Sequence, residues 1–339
     1  MSRLSKLVGT PALRNLDAQK IIAMRRAFLA SAGLAGAAVV GSGLLGGRRA
    51  EGAGATYADP NPNGKDVNHH ANANDILNFA LNLEYLEAEF YLRATTGVGL
   101  TSADTSGVVS KGPGKEPKTA GTAGTVTGGS QVNFQVPVIQ QLANDITADE
   151  VAHVRLLRTA LGKNAVAEPN INLSTSFTAA AIAAGVITAG MTFDPFANDD
   201  NFLLGAFVFE DVGVTAYHGA APYVGAKILP TAAGILGTEA YHAGAIRAML
   251  ISRGQTMATD ISIANAISTL RAGADKAAGG PGDDAPVTDS SGNGVFAAND
   301  ANGLVYARTF DEVLAIVYLG GPIGTGGGFF PNGMNGAIV

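Results

Sequence analysis

Apolar positions recur three and four residues apart over four long stretches of the chain, a period that predicts helices. Residues 75–94 carry Leu77, Leu81, Glu84, Ala88 and Tyr91 along one stripe, with Asn74 or Asp75 as the N-cap. Residues 136–161 carry Ile139, Leu142, Ile146, Glu150, His153 and Leu157, with Gly162 as the stop. Residues 201–220 carry Leu203, Phe207, Glu210, Val214 and Tyr217, behind Asp199 or Asp200 as a cap. Residues 229–253 carry Ile235, Glu239, His242, Ile246 and Met249 and end at Gly254. Residues 171–191 predict a shorter helix with connections, 260–274 a further helix and 310–319 a short apolar element. No run of short alternating strands is present, so the pattern predicts an all-α fold: a four-helix bundle over 75–253.

The segments between these stretches lack periodicity. Residues 56–74 are rich in Pro, Asn, Gly and His and read as a linker. Residues 97–135 are a Gly/Thr/Ser/Lys-rich insert of low complexity, and 254–339 form a C-terminal extension that is Gly-rich over 279–303 and 320–339. Gly accounts for 45 of 339 residues, and charged residues for only 15%.

Residues 1–55 read as an address. Arg25-Arg26 precede Phe28-Leu29, a mildly apolar run over 27–45 follows, and Ala53-Gly54-Ala55 has the small-x-small form a signal peptidase cuts. This arrangement resembles a twin-arginine (Tat) signal, which implies a partner in the Tat export machinery and a destination in the periplasm or at the cell surface. A plain membrane anchor, for which the run is just long enough to span a bilayer, or a buried helix is the alternative. Zero Cys removes disulfides, Cys-bound zinc, iron–sulfur clusters and a thiol nucleophile. A net charge of −6 without Trp argues against a nucleic-acid partner.

The candidate chemistry lies on the apolar stripes themselves. A carboxylate on a core-facing stripe is expensive unless it is paired, protonated or bound to a metal. Here every one of the four stripes carries one. The second and fourth place Glu150 and His153, and Glu239 and His242, three apart on one helical face; the first and third offer Glu84 and Glu210 alone. One Glu from each of two helices and Glu-x-x-His from each of the other two is the donor set of a di-iron or di-manganese carboxylate bundle. Two Fe ions are the expected cofactor, with Mn as the alternative.

The chain also repeats itself. Glu84 to Tyr91 and Glu210 to Tyr217 are both seven apart, and Glu150 to Arg158 and Glu239 to Arg247 are both eight apart. Two helix pairs related by an approximate twofold axis are therefore predicted. Tyr91 and Tyr217, two turns from their own glutamates, are candidates for hydrogen bonds to the ligands or for redox-active phenols. Glu87 competes with Glu84 for the ligand position, while Glu89 reads as solvent-facing. Asp149 and Asp211 adjoin ligands and are candidate partners of a His ring N–H. Arg158 and Arg247 read as salt-bridge residues at the bundle ends, His218 points off the stripe, and His69-His70 lie in the linker.

The segment from Leu77 to Tyr91, Asp149-Glu150-Val151-Ala152-His153, Glu239-Ala240-Tyr241-His242 and the tail Gly328-Phe329-Phe330-Pro331-Asn332-Gly333 resemble the ferritin-like domain proteins, in particular their desiccation-related branch. The resemblance implies a four-helix bundle with a non-haem di-metal centre. That centre would act on Fe(II), oxygen or peroxide in stress protection. The chain departs from rubrerythrins in lacking Cys, hence a rubredoxin-like module. It departs from cage ferritins in its insert and extension, which argue against a shell; a smaller homo-oligomer stays open. Two other readings stand beside this one: a manganese catalase-like enzyme, and a non-enzymatic stress or surface protein with a structural or vestigial metal site.

Overall fold

A computed structural model of the chain describes residues 71–109 and 119–339. The Tat-type signal over 1–55, most of the linker and His69-His70 lie outside these residues. The described helices are α1 (Ala73–Thr96), α2 (Ser102–Thr105), α3 (Pro137–Leu161), α4 (Thr175–Ala183), α5 (Asp199–Ala220), α6 (Gly225–Gly254), α7 (Ala258–Ala277) and α8 (Phe310–Val317). Four short strands, β1 (Gly107–Val109), β2 (Thr119–Gly121), β3 (Val126–Thr127) and β4 (Ile171–Asn172), pair as an antiparallel β1–β2 ribbon and a parallel β3–β4 contact. They tie the insert to the chain beyond α3 and form no core layer. None of the described helices is long and apolar enough to cross a membrane.

The starts of the four bundle helices differ from the sequence expectation by one to four residues. Asn72, not Asn74 or Asp75, caps α1: its side chain accepts the N–H groups of Asn74 and Asp75 at 2.9 and 3.3 Å. Asp75 answers by accepting the Asn72 N–H at 2.9 Å, a reciprocal capping box. Asn198 caps α5, so Asp199 and Asp200 fall in its first turn, where negative charge suits the helix dipole. Asp199 accepts the N–H groups of Gln135 and Val136, and Asp200 pairs with Arg253. α6 begins at Gly225, earlier than expected, and keeps Pro230 inside the helix.

α1, α3, α5 and α6 form the bundle. α1 and α3 run antiparallel, with Asn78 reaching Asn164 at one end and Thr95 meeting Thr147 at the other. α5 and α6 are likewise antiparallel, with Asp200 against Arg253 and Asp211 against Arg247. α1 also packs on α5 and α3 on α6, which closes the square. Above the centre, Phe90 sits among Phe177, Phe196, Phe202 and Phe209 at ring distances of 5.3–5.7 Å. Phe329 from the tail joins them, 5.0 Å from both Phe177 and Phe209. The tight tail that delivers it needs glycine. Gly326 has φ +103°, and a Cβ there would lie 2.0 Å from the Gly333 nitrogen.

The extension is fastened to the bundle by charge. Arg247, Arg271 and Arg308 are all at most 2% exposed. Arg247 donates to Asp211 through Nε and Nη2 at 2.9 and 2.7 Å and to the carbonyls of Ala285, Pro286 and Val295. Arg271 spans Asp211 and Asp284, and Arg308 reaches Asp284 at 2.9 Å. Asp211 therefore serves two guanidiniums rather than a histidine. Its replacement by Asn would leave both buried charges short of a counter-ion, and breaking such a pair from one side costs about 3–5 kcal/mol. Urea denaturation of Asp211→Asn is expected to show a lower midpoint at unchanged slope; a shift below about 1 kcal/mol, the worth of an exposed pair, would refute it.

Candidate metal centre

The four stripes face one another at mid-bundle. Glu84, Glu150, Glu210 and Glu239 are each at most 1% exposed, and His153 and His242 at most 7%. α3 and α6 are antiparallel, so the Glu of one motif meets the His of the other. His242 Nδ1 lies 3.1 Å from Glu150 Oε1 and 3.4 Å from Glu210 Oε2. His153 Nδ1 lies 3.3 Å from Glu84 Oε2 and 3.5 Å from Glu239 Oε1.

Two donor sets result. Glu84, Glu150, His153 and Glu239 form one; Glu150, Glu210, Glu239 and His242 form the other, with the atoms of each set within 4.8 Å of one another. Glu150 and Glu239 belong to both. Glu84 and Glu210 belong to one set each.

Hydrogen bonding sorts the oxygens the same way. Both oxygens of Glu150 and of Glu239, one each of Glu84 and Glu210, and Nδ1 of both histidines are buried without a hydrogen-bond partner. The other oxygens of Glu84 and Glu210 are occupied by phenols. Tyr217 donates to Glu84 and Tyr91 to Glu210. Each tyrosine thus serves the glutamate of the opposite helix, not the one two turns below it, because α1 and α5 run antiparallel. Burial, then the adjoining glutamates, push both phenols well above their usual range, so they remain protonated donors.

A cluster of unpaired buried donors is unstable unless something binds it. Protons are one answer. Burial raises Glu84 to about 7, with the Glu150 charge adding to the effect, and lifts Glu239 well above its usual range. Burial opposes charge on the histidines, yet the neighbouring carboxylates outweigh it and carry His153 to about 10 and His242 to about 12. Burial would raise Glu150 too, but the two histidines bring it down to about 2. Carboxylate and imidazole donors in two overlapping sets are the donor types that suit Fe or Mn.

Glu87, the sequence's competitor of Glu84, and Gly213 border the donor sets. Glu87 is 4% exposed and repelled by Glu150, Glu210 and Glu84, which makes it a fifth carboxylate of the centre, outside both donor sets. Gly213 occupies the repeat position matching Glu87. A Cβ there would lie 2.3 Å from Glu239 Oε2 and 3.4 Å from Glu87 Oε1. A glycine in mid-helix three residues after a ligand is the signal that would have found it. Gly213→Ala is expected to weaken metal binding, because the added methyl would push Glu239 from its place. The metal-free fold should change by no more than about 1 kcal/mol. Metal titration beside thermal melting checks both, and unchanged affinity would show that Glu239 does not need the space.

The remaining candidates take other roles. Asp149 lies 3.2 Å from His242 Nε2. Arg158 donates to Tyr85 at 2.5 Å, and His218 Nδ1 faces the Val305 carbonyl at 2.9 Å. Glu89, expected at the surface, is buried at 2% and pairs with Arg93 at 2.7 Å while accepting the Leu100 N–H, so it anchors the start of the insert.

Comparison with known proteins bears on the family of the fold. The chain is 32% identical over 203 residues to desiccation-related protein PCC13-62 of Craterostigma plantagineum, an alignment covering 58% of this chain and 60% of that one. It is 30% identical over 279 residues to ferritin-like catalase Nec2 of Nesocodon mauritianus, covering 78% of this chain and 84% of that one. The chain thus spans about three fifths of the length of the first relative. No solved structure matches. Residues 72–252, which hold the whole bundle up to the last turn of α6, match the ferritin-like domain family, and the chain belongs to that family.

Proposed function

We propose that the protein binds two redox-active ions, iron or manganese, through Glu84, Glu150, His153, Glu210, Glu239 and His242, and uses them to destroy peroxide. The observation that carries this reading is the pair of donor sets sharing Glu150 and Glu239, whose donor atoms are buried and unpartnered. Two adjacent redox ions supply a two-electron couple. In dismutation one peroxide takes up two electrons and two protons and leaves as two waters. A second gives up two electrons and two protons and leaves as oxygen. The cycle needs no outside reductant, which suits a chain with no Cys for an iron–sulfur or rubredoxin-type relay. The relative named a ferritin-like catalase supports the same choice. Oxidation of Fe(II) by oxygen or peroxide at the same donors is the neighbouring activity.

The residues divide the work. Glu150 and Glu239, common to both donor sets, would contribute to holding both ions, and His153 and His242 would each complete one set. Tyr91 and Tyr217 pin one oxygen of Glu210 and of Glu84, leaving the other to face the centre. The aromatic cluster around Phe90 keeps water from that end of the bundle. Arg25-Arg26 and the run behind them would send the folded protein through the Tat pathway to the periplasm or cell surface, and cell fractionation of an Arg25→Lys/Arg26→Lys double variant tests that step.

The test is oxygen evolution from hydrogen peroxide by the full chain after metal content is counted by elemental mass spectrometry. About two ions per chain with oxygen release supports the reading. Ions bound tightly with no turnover of peroxide or Fe(II), and a lower melting temperature on chelation, would replace it with a structural role. The likeness to a desiccation-related protein keeps that second reading in view.

A further inference from the structure

α3 and α6 carry the same motif, and both histidines aim Nδ1 at the centre, but their far nitrogens differ. His242 Nε2 meets the Asp149 carboxylate at 3.2 Å. Among the described residues, no hydrogen bond reaches Nε2 of His153. The cause is the residue just before each motif glutamate. In α3 it is Asp149, which lies across the helix interface from His242. In α6 the matching position is Thr238, whose hydroxyl turns back to donate to the Gly234 carbonyl of its own helix at 3.3 Å. The approximate twofold repeat is broken here.

A carboxylate on the outer nitrogen of a ligating imidazole fixes the tautomer that leaves the inner nitrogen free. It also restrains the ring and makes the ligand more basic. Only His242 has that support.

We infer that Asp149 makes the two metal positions unequal: acting through His242 as a positioning residue, it makes the Glu210/His242 position fill before the Glu84/His153 position. The inference rests on the two-metal reading above. Loss of an outer-shell partner typically lowers metal affinity 10–100-fold, so the two binding steps should differ by about that factor. The tight position then holds an ion in the resting protein, and the second exchanges more readily with free metal.

Co(II) alone is the probe, titrated into the chelator-stripped full chain and followed by calorimetry and its visible spectrum. The wild type should show two steps about 10–100-fold apart. His242→Ala should remove the tighter step and His153→Ala the weaker. Asp149→Ala should bring the tight step down to the level of the other and leave the weaker in place. Asp149→Asn, which keeps an acceptor oxygen, should recover part of the loss. Thr238→Asp should raise the weaker step. The Asp149 side chain is 48% exposed, so its variants should melt like the wild type without metal. Two equal steps in the wild type, or an unchanged tight step in Asp149→Ala, would overturn the inference and leave the two-metal reading intact. Uptake of one ion or none would overturn both.

Discussion

Replacing Glu150 and Glu239 together with Ala is expected to abolish binding of both metal ions, and with it any turnover of peroxide or Fe(II). The two residues are half of the donors in each set, so neither position keeps more than one carboxylate and one imidazole. A substitution such as Glu84→Ala removes one donor from one set and should weaken one ion alone. Elemental mass spectrometry on the purified variants distinguishes the cases: no metal in the double variant, close to one ion in the single. Two ions retained in the double variant would show that the metals sit elsewhere.

The same glutamates should act in the opposite direction on the metal-free fold. Without metal, Glu84, Glu87, Glu150, Glu210 and Glu239 are buried against one another with two imidazoles to offset them. Burial, then the neighbouring carboxylates, hold Glu239 well above its usual range, so its charged form is unfavourable in the folded chain and an apolar side chain of similar volume relieves that cost. Glu239→Met should therefore raise the denaturation midpoint in chelator and lower it in metal. In metal the wild type gains about 4 kcal/mol per site when free metal exceeds its Kd a thousandfold. A crossing of that kind marks a cluster kept for what it binds. A cluster kept for packing would lose stability under both conditions.

How much of this was legible in the chain follows from what spacing can carry. Period and register along one helix are local, so the four stripes, the two Glu-x-x-His motifs and the Glu-to-Tyr repeat are readable without a structure. What two helices do to each other is not local. The exchange of tyrosines between Glu84 and Glu210 depends on α1 and α5 running antiparallel at one height. The reach of Asp149 to His242 depends on the same relation between α3 and α6. Asp211 sits one residue from a ligand and so suggests a histidine partner. The folded chain gives it Arg247 and Arg271 instead, because α7 and the extension close over that side of α5. The tail is Gly-rich in sequence, yet Phe329 is 1% exposed in the aromatic core. There the glycines serve close backbone approach rather than freedom.

The metal-free protein should lose stability as pH rises from 5 to 9, opposite to its metal-loaded form. The sign follows from which state holds more protons. Glu84 releases its proton near 4.5 when unfolded and near 7 when folded, so between those values the folded state binds the extra proton and raising pH favours unfolding. Glu239 and Glu87, held well above their usual range, extend that loss upward. His153 adds to it between 6.5 and about 10, and His242 between 6.5 and about 12. Glu150 works the other way: its contribution is present above 4.5 and lost as pH falls toward 2. Stability in chelator should therefore peak near pH 4.5, below the usual range of about 5 to 8. Metal competes with those protons, so its affinity, and the stability it confers, climb with pH over the same interval. Urea denaturation at fixed metal and in chelator, from pH 4 to 9, should give two curves of opposite slope, with proton release on metal addition greatest near neutral pH. A chelator curve that is flat or rises from 5 to 8 would mean the cluster does not hold its protons in the folded chain, and the case for buried donors displaced by metal would fall with it.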